Sequence, residues 1–442
     1  MYDEKKTNLE LLASLRCFLL VEILPDHNKQ NPGDFTRNRK LPFTFLVTLM
    51  LKALRKKIAL EIHYFYDRLV ELTLKEESIN LTASAFCQSR QKLRPEFFRD
   101  GLHHLCREFY TENELNVKLW QGKRLLAIDG SIIELPHTAE LEQQYGTYAN
   151  QHKTLRVQAR ISLLYDVLND LVLDGQLGRY KDGERVLAES HLAVLSPGDL
   201  VIYDRGYPSF DFIFQHHQGG IDFVMRAKVT WNNAVCDFVR SGVSSQLVDL
   251  TIGKNECVKH KPYDHHTPIT VRMVRVELST GEIEILISSL LDDELYPTAI
   301  FKNLYQQRWG VETRFDMLKN ALHIEHFSGV SQRVIMQDFY ITLLVSNLEA
   351  LLREEVNQQI QQKYNHRQHH YQVNITVSVS LLREKIVDLL LGKNPQQTLA
   401  YLAKVFAQNI EPVRTNRSFP RKADQYRTKN KPKQFRNRRS NL

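Results

Sequence analysis

The chain has 442 residues, 43% apolar, 25% charged and 10% aromatic, with 18 Gly and 14 Pro, which excludes a fibrous, collagenous or wholly disordered protein and suggests two or three globular domains. Five cysteines (Cys17, Cys87, Cys106, Cys236 and Cys257) form no C-x-x-C pair, so neither a disulfide framework nor a zinc knuckle is indicated and a reducing compartment fits best. A formal charge of +8, from 59 Lys and Arg against 51 Asp and Glu, hints at a polyanionic partner.

The opening residues MYDEKKTNLE lack a basic segment followed by an apolar one. Apolar stretches such as residues 41–54 break off short of the roughly 20 residues a membrane helix needs. Neither secretion nor membrane insertion is expected, and the cytoplasm is the expected location. Residues 1–118 carry long helical patterns such as LEIHYFYDRLVELTLK and read as a helical N-terminal domain. Within it, residues 35–60 hold Arg37, Arg39, Lys40, Lys52, Arg55, Lys56 and Lys57 and no acid. The following LTASAFCQSRQKLRPEFF opens on a Thr/Ser cap and adds Arg90, Lys92 and Arg94. A helix starting at Thr82 or Ser84 could enter a DNA groove, although a solvated charged face is the more common meaning of such a stretch.

From residue 119 the pattern changes. RLLAIDGSIIEL reads as an apolar run into an Asp-Gly turn and out again, and VQARISLLYDVLND with LVLDGQLGRY as two strands joined by a turn. A helix (ERVLAESHLAVL), a strand (DLVIYDRGY), a short helix (FDFIFQHH) and another strand (IDFVMRAKV) follow. Residues 119–229 are therefore expected to be the first part of an α/β core. Residues 230–296, with ITVRMVRVELS and GEIEILISSL, read as a β-rich insertion rather than a continuation of that core. Residues 297–350 and 351–411 return to helical patterns. The tail, 412–442, has eleven Lys and Arg against Asp424, a net of +10 that leaves residues 1–411 at −2. It reads as disordered until it meets a polyanion, or as a solubilising tail. The histidine groups His216 with His217, His265 with His266, and His366, His369 and His370 are expected in exposed loops or on helix faces.

Asp129 and Asp204 stand at the ends of apolar strands, the edge of an α/β sheet at which ligands and catalytic groups collect. Each alone is more often a turn residue or half of a local ion pair. After Pro297, the helical pattern AIFKNLYQQRWGVETRFDMLKNALHI puts Tyr305, Arg308, Glu312 and Lys319 within about 60° of arc, beside an apolar stripe of Leu304, Val311, Phe315, Leu318 and Leu322. Gly310 is costly inside a helix, which implies a close approach there. Taken together, Asp129, Asp204 and Glu312 form an all-oxygen donor set suited to two Mg²⁺ or Mn²⁺ ions acting on a phosphodiester. Arg308, Lys319 and the Tyr305 hydroxyl would then serve as phosphate clamps.

These residues resemble those of a known family, the DDE transposases of bacterial insertion sequences of the insertion sequence four type. Tyr305-x2-Arg308-x3-Glu312-x6-Lys319 matches that family's Y-R-E-K signature without a gap, and IDGS, YDRGY, FTRNRKLPF and NRSFPRK supply matching context over nearly the whole chain. The resemblance implies a ribonuclease H-like catalytic core interrupted by a β-rich insertion, with helical N-terminal and C-terminal regions. It implies Asp129, Asp204 and Glu312 as the metal-binding triad, with Tyr305, Arg308 and Lys319 on the phosphates of the transposon end. It further implies cut-and-paste transposition through a hairpin intermediate, terminal inverted repeats bound largely by the N-terminal region (Arg90, Lys92 and Arg94 included) and by the insertion, and a dimer that cuts in trans. One departure is plain: residues 252–295 contain no tryptophan, where hairpin-forming relatives stack an extruded base. Trp231 lies at the insertion's start and Trp309 on the helix, and Tyr263 or Tyr296 is the expected substitute. The alternatives are a metal-dependent nuclease without strand transfer and a non-catalytic, transposase-derived DNA-binding protein.

Overall fold

Caps and apolar runs set the elements along the computed structural model, which describes residues 8–37, 41–54, 56–73, 81–112, 117–149, 155–252, 268–278 and 281–413. Five helices come first: α1 (Asn8–Leu19), α2 (Phe43–Leu51), α3 (Ile58–Thr73), α4 (Ala83–Arg90) and α5 (Glu96–Glu112). Then follow β1 (Leu125–Glu134), α6 (Ala139–Tyr145), β2 (Thr147–Ala149), β3 (Leu155–Asp166), β4 (Leu171–Arg179), α7 (Glu184–His191), β5 (Leu200–Tyr203), α8 (Phe210–Gly219) and β6 (Asp222–Ala227). Next are α9 (Asn233–Ser241), β7 (Ser245–Leu250), β8 (Ile269–Glu277) and β9 (Ile283–Ser288). The chain continues with α10 (Ile300–Gln306), α11 (Trp309–Asn320), α12 (Gln332–Lys363), β10 (His370–Val373), α13 (Ile375–Leu391), α14 (Pro395–Gln408) and β11 (Ile410–Val413). It divides into two compact units, one of residues 1–116, 133–158 and 317–442, the other of residues 117–132 and 159–316.

The first unit is mainly helical. Its long helix α12 packs against α5, α13 and α14. Among the described helices α12 is the one long and apolar enough to cross a membrane, but 89% of its most apolar stretch is buried inside the protein, so it is a core helix. Gly101 lets α5 come close: a Cβ there would stand 3.3 Å from Phe18 Cε1 and 3.4 Å from Leu344 Cδ2. The cap anticipated at Thr82 forms, its hydroxyl accepting the Ala85 N–H ahead of α4.

The second unit is built on a mixed sheet in the order β4-β3-β1-β5-β6-β9-β8-β7. β1, β5 and β6 are parallel, whereas the β3–β4 hairpin and the pairs β6–β9, β9–β8 and β8–β7 are antiparallel. Residues 125–128 and 200–203 are wholly buried, as near-continuous apolar runs in a parallel sheet covered on both faces must be. Leu125, Leu200, Ile202 and Val224 form one core with Val274 and Leu286 from the later strands and Phe301, Leu304 and Tyr305 from α10.

Three expectations change here. The Asp-Gly of LLAIDGS is not a turn, because β1 runs through it to Glu134; only its pairing with β5 stops at Ile128. Residues 230–296 do not stand apart from the core: β9 pairs with β6, so the same sheet continues outward through β8 and β7. The single helix anticipated after Pro297 is two, α10 and α11, with a break at Gln307 and Arg308. The apolar stripe survives that break, since Leu304, Val311, Phe315, Leu318 and Leu322 are all buried. So does the close approach at Gly310, where a Cβ would lie 3.2 Å from Val167 Cγ1 and 3.3 Å from Tyr165 Cε1.

Candidate catalytic carboxylate site

Strand register places the two aspartates. Ile128 pairs with Tyr203 and Tyr203 with Met225 across three adjacent parallel strands. The next residues, Asp129, Asp204 and Arg226, therefore follow directly on a row of paired positions at one end of this parallel stretch. Arg226 is a residue that motif reading missed. Its Nη1 lies 2.9 Å from Glu284 Oε1 and 3.9 Å from Asp204 Oδ1, so it brings positive charge to the Asp204 side. The only signal for it was its place at the end of IDFVMRAKV, which acquires meaning once β6 is known to lie beside β5.

The break between α10 and α11 brings the remaining groups to this row. The Tyr305 hydroxyl donates to Asp204 Oδ1 at 3.2 Å, and burial pushes the phenol's proton affinity up, which keeps it a donor. Arg308 is buried and bridges two carboxylates: Nη2 donates to Glu312 Oε1 at 2.8 Å, and Nη1 lies 3.5 Å from Asp129 Oδ2. Its guanidinium also lies 5.4 Å from the centre of the Trp309 ring, and Trp309 is 56% exposed. Lys319 stands in the last turn of α11, about two helical turns beyond Glu312.

Electrostatics single out Asp129. Burial, aided by the charges of Glu312 and Asp204, pushes its carboxyl up to about 6, against the opposing pull of the Gly130 N–H and Arg308. Its Oδ1 accepts that N–H at 2.8 Å. Arg308, with Arg226 shared between Asp204 and Glu284, thus leaves the carboxylates short of positive charge. Oxygen-only donors in that condition fit a hard divalent cation. As the side chains stand, no three His, Cys, Asp or Glu side chains among the described residues converge closely enough to hold an ion.

The N-terminal basic residues divide differently. Arg90 does not present its charge to a partner: it is 2% exposed and donates to Gln337 Oε1 and Asp338 Oδ1, each at 3.0 Å, and to Ser328 Oγ. It is a core residue of the first unit. Arg90→Ala is expected to lower stability by about 2–3 kcal/mol, since it strands Asp338 and Gln337 without their donor, and urea unfolding would measure the loss. Lys92 is half-buried, 3.7 Å from Asp34, whereas Arg94 is exposed. Of the basic stretch 35–60, Lys52 is paired with Glu61 at 3.3 Å, while Arg39, Lys40 and Arg55 lie outside the described residues, as does the basic tail from Arg414 onward.

Two further expectations are corrected. His216 is neither in a loop nor on an exposed face: it is wholly buried on α8, hydrogen-bonded to the Tyr203 hydroxyl at 2.7 Å and to the Phe212 carbonyl at 2.8 Å, and burial lowers it to about 4. Tyr296 is not free to stack on a base, being buried against the Trp120 ring with centroids 5.9 Å apart. His366, His369 and His370 are exposed, whereas His265, His266 and Tyr263 lie outside the described residues.

Sequence comparison supplies the family. The family model of the transposase DDE domain matches residues 120–348, more than half of the chain, and the chain belongs to the DDE transposase family. It is 22% identical over 302 residues to the transposase for insertion sequence element IS231F of Bacillus thuringiensis subsp. israelensis, a match covering 59% of this chain and 62% of that one. It is 29% identical over 223 residues to the transposase for insertion sequence element IS231E of Bacillus thuringiensis subsp. finitimus, covering 50% and 43%. The chain thus spans about six tenths of the first relative's length and less than half of the second's. A solved piggyBac transposase synaptic complex with hairpin DNA is similar at 11% identity and a TM-score of 0.40, over 90% of this chain and 82% of that one.

Proposed function

We propose that this protein is a metal-dependent DNA transposase that cuts the ends of an insertion sequence at its terminal inverted repeats and joins them to target DNA. Asp129, Asp204 and Glu312 are the proposed ligands, held by β1, β5 and α11. The observation that carries the reading is that Asp129 and Asp204 directly follow the paired residues Ile128 and Tyr203 on adjacent parallel strands, together with Glu312 tied through Arg308 to Asp129. The run β4-β3-β1-β5-β6, a hairpin beside three parallel strands, supports a ribonuclease H-like core.

Two Mg²⁺ or Mn²⁺ ions, when bound, would supply Lewis-acid activation of water or a 3′-hydroxyl and stabilise the departing oxygen. The protein's own groups do the positioning. Tyr305 orients Asp204 through its hydroxyl. Arg308 neutralises Asp129 and Glu312, and it becomes a phosphate clamp once an ion takes over that charge. Lys319, Lys92 and Arg94 are proposed contacts to DNA phosphates. Trp309, exposed beside Arg308, is the aromatic best placed among the described residues for a hairpin step. Assembly as a homodimer and action at the nucleoid are part of the same proposal.

The test is incubation of the full-length protein with duplex DNA ending in the encoding element's inverted repeats, with Mg²⁺ or Mn²⁺ and with EDTA. Metal-dependent release of a 3′-hydroxyl at the repeat boundary, followed by joining to a target plasmid, is expected. Cleavage without joining indicates a nuclease, and binding without cleavage a non-catalytic protein.

A further inference from the structure

We propose that Arg314 is a positioning residue for Glu312: it locks α11 onto the turn between β3 and β4 and so fixes the direction in which the glutamate leaves the helix. The inference rests on the reading of Glu312 as a metal ligand. Glu312 stands in the first turn of α11, just after the break at Gln307 and Arg308, so α11 does not inherit its orientation from α10. Gly310 and Arg314 bracket the glutamate. Four residues apart, they share one face of α11, while Glu312 projects roughly 160° away from that face. A grip on the face of Gly310 and Arg314 therefore sets the rotation of α11 about its axis, and with it the direction of Glu312.

The β3–β4 turn supplies the grip. Arg314 is 2% exposed, and its Nη2 donates to both the main-chain carbonyl and the carboxylate of Asp170. The Tyr165 hydroxyl donates to the same carboxylate, and the guanidinium lies over the Tyr165 ring, 5.2 Å from its centre. Asp170 has φ 58°, a left-handed conformation that a non-glycine residue keeps only where its surroundings hold it. One helical turn earlier, Gly310 rests on Tyr165 and Val167 of the same hairpin.

That turn is in its own right anchored to the strand that carries Asp129. The Val167 N–H donates to the Leu125 carbonyl, at the start of β1, at 3.0 Å. The wholly buried Asp166 accepts the N–H groups of Leu168 and Asn169, each at 2.9 Å, and the Asn169 side chain accepts the Lys118 N–H at 2.9 Å and donates to the Lys118 carbonyl at 3.0 Å. A continuous path thus runs from Asp129 along β1, through the turn and Arg314, to Glu312, with every member in the second unit. Arg308 ties the two carboxylates directly; Arg314 ties the elements that bear them. Once Arg308 is released to a phosphate, Arg314 remains as the link that holds the glutamate in place.

The test is Mn²⁺ binding to the full-length protein without DNA, read from the EPR signal of free Mn²⁺. Wild type is compared with Arg314→Ala, Arg314→Lys, Glu312→Gln and Arg124→Ala. The last removes an ion pair with Asp199 at the far end of β1 and β5 from Asp129 and Asp204, and so reports what the loss of a structural pair does by itself. Melting temperature is expected to fall in both arginine-to-alanine variants, whereas Mn²⁺ affinity is expected to fall by about tenfold in Arg314→Ala and to hold in Arg124→Ala, with Arg314→Lys intermediate because an ammonium lacks the guanidinium's planar fork. Wild-type binding by Arg314→Ala while Glu312→Gln loses it overturns the proposal and leaves the carboxylate reading standing, as does an equal loss in Arg124→Ala. If Glu312→Gln binds as wild type does, the underlying reading fails and the proposal with it. Should Arg314→Ala not fold, Arg314→Lys decides, and wild-type affinity in it overturns the proposal.

Discussion

Asp129→Asn is expected to reduce DNA cleavage by at least about 10³-fold and, in the same molecule, to raise stability at pH 7.5 by on the order of 2–3 kcal/mol. The two effects share one cause. Asp129 is largely buried, and its carboxyl is held up at about 6 against an ordinary 3.8. A folded-state pKa above the unfolded one means that the group's contribution to stability is fully present below the unfolded value. That contribution is lost as pH rises through about 6. At pH 7.5 the ionised carboxylate is therefore a cost carried for function, and the amide of Asn removes it. Melting of wild type and variant in EDTA is expected to diverge at pH 7.5 and converge near pH 4. Equal melting temperatures at both pH values would mean that the carboxylate is not strained by its surroundings.

Arg308→Ala is expected to act in the opposite sense, lowering stability by about 2–3 kcal/mol at pH 7.5 and by less at pH 5. Its guanidinium is the cation shared by Asp129 and Glu312, and its removal leaves two partly buried carboxylates facing each other. Below about pH 6 Asp129 takes up a proton and the repulsion fades. Millimolar Mn²⁺ is expected to restore more stability to Arg308→Ala than it adds to wild type, because the ion replaces the lost charge. A loss that is the same at both pH values and indifferent to Mn²⁺ would reduce Arg308 to a packing residue.

The parts of the site that are legible in the sequence are those fixed locally. LLAI and LVIY are short apolar runs that fit buried strands, so Asp129 and Asp204, which follow them, are legible as candidates on local grounds, although β1 runs on through Asp129. The stripe of Leu304, Val311, Phe315, Leu318 and Leu322 fixes the buried face of the helices carrying Glu312, and the cost of Gly310 announces the approach of Tyr165 and Val167. Partners distant in sequence are not legible. Arg226 joins the row only because β6 lies beside β5. Arg90 is buried because Gln337 and Asp338, some 250 residues on, satisfy its guanidinium, and His216 because Tyr203 and Phe212 take up both ring nitrogens. The strands of residues 230–296 have the alternation of a separate β element, and nothing local reveals that β9 pairs with β6. The break at Gln307 and Arg308 contains neither proline nor glycine, so helical periodicity runs straight through it, yet it is where Arg308 meets Asp129.

The most direct test of the central claim, that Asp129, Asp204 and Glu312 hold the catalytic ions, is a change of metal preference. Asp129→Cys, Asp204→Cys and Glu312→Cys would each be assayed for cleavage of terminal-repeat DNA in Mg²⁺ and in Mn²⁺, alongside wild type. A thiolate binds Mn²⁺ better than the harder Mg²⁺. Each variant is accordingly expected to be inactive in Mg²⁺ and to recover by about tenfold or more in Mn²⁺, beyond any preference of wild type. Variants as active as wild type in Mg²⁺, or inactive ones whose metal preference is unchanged, would contradict it.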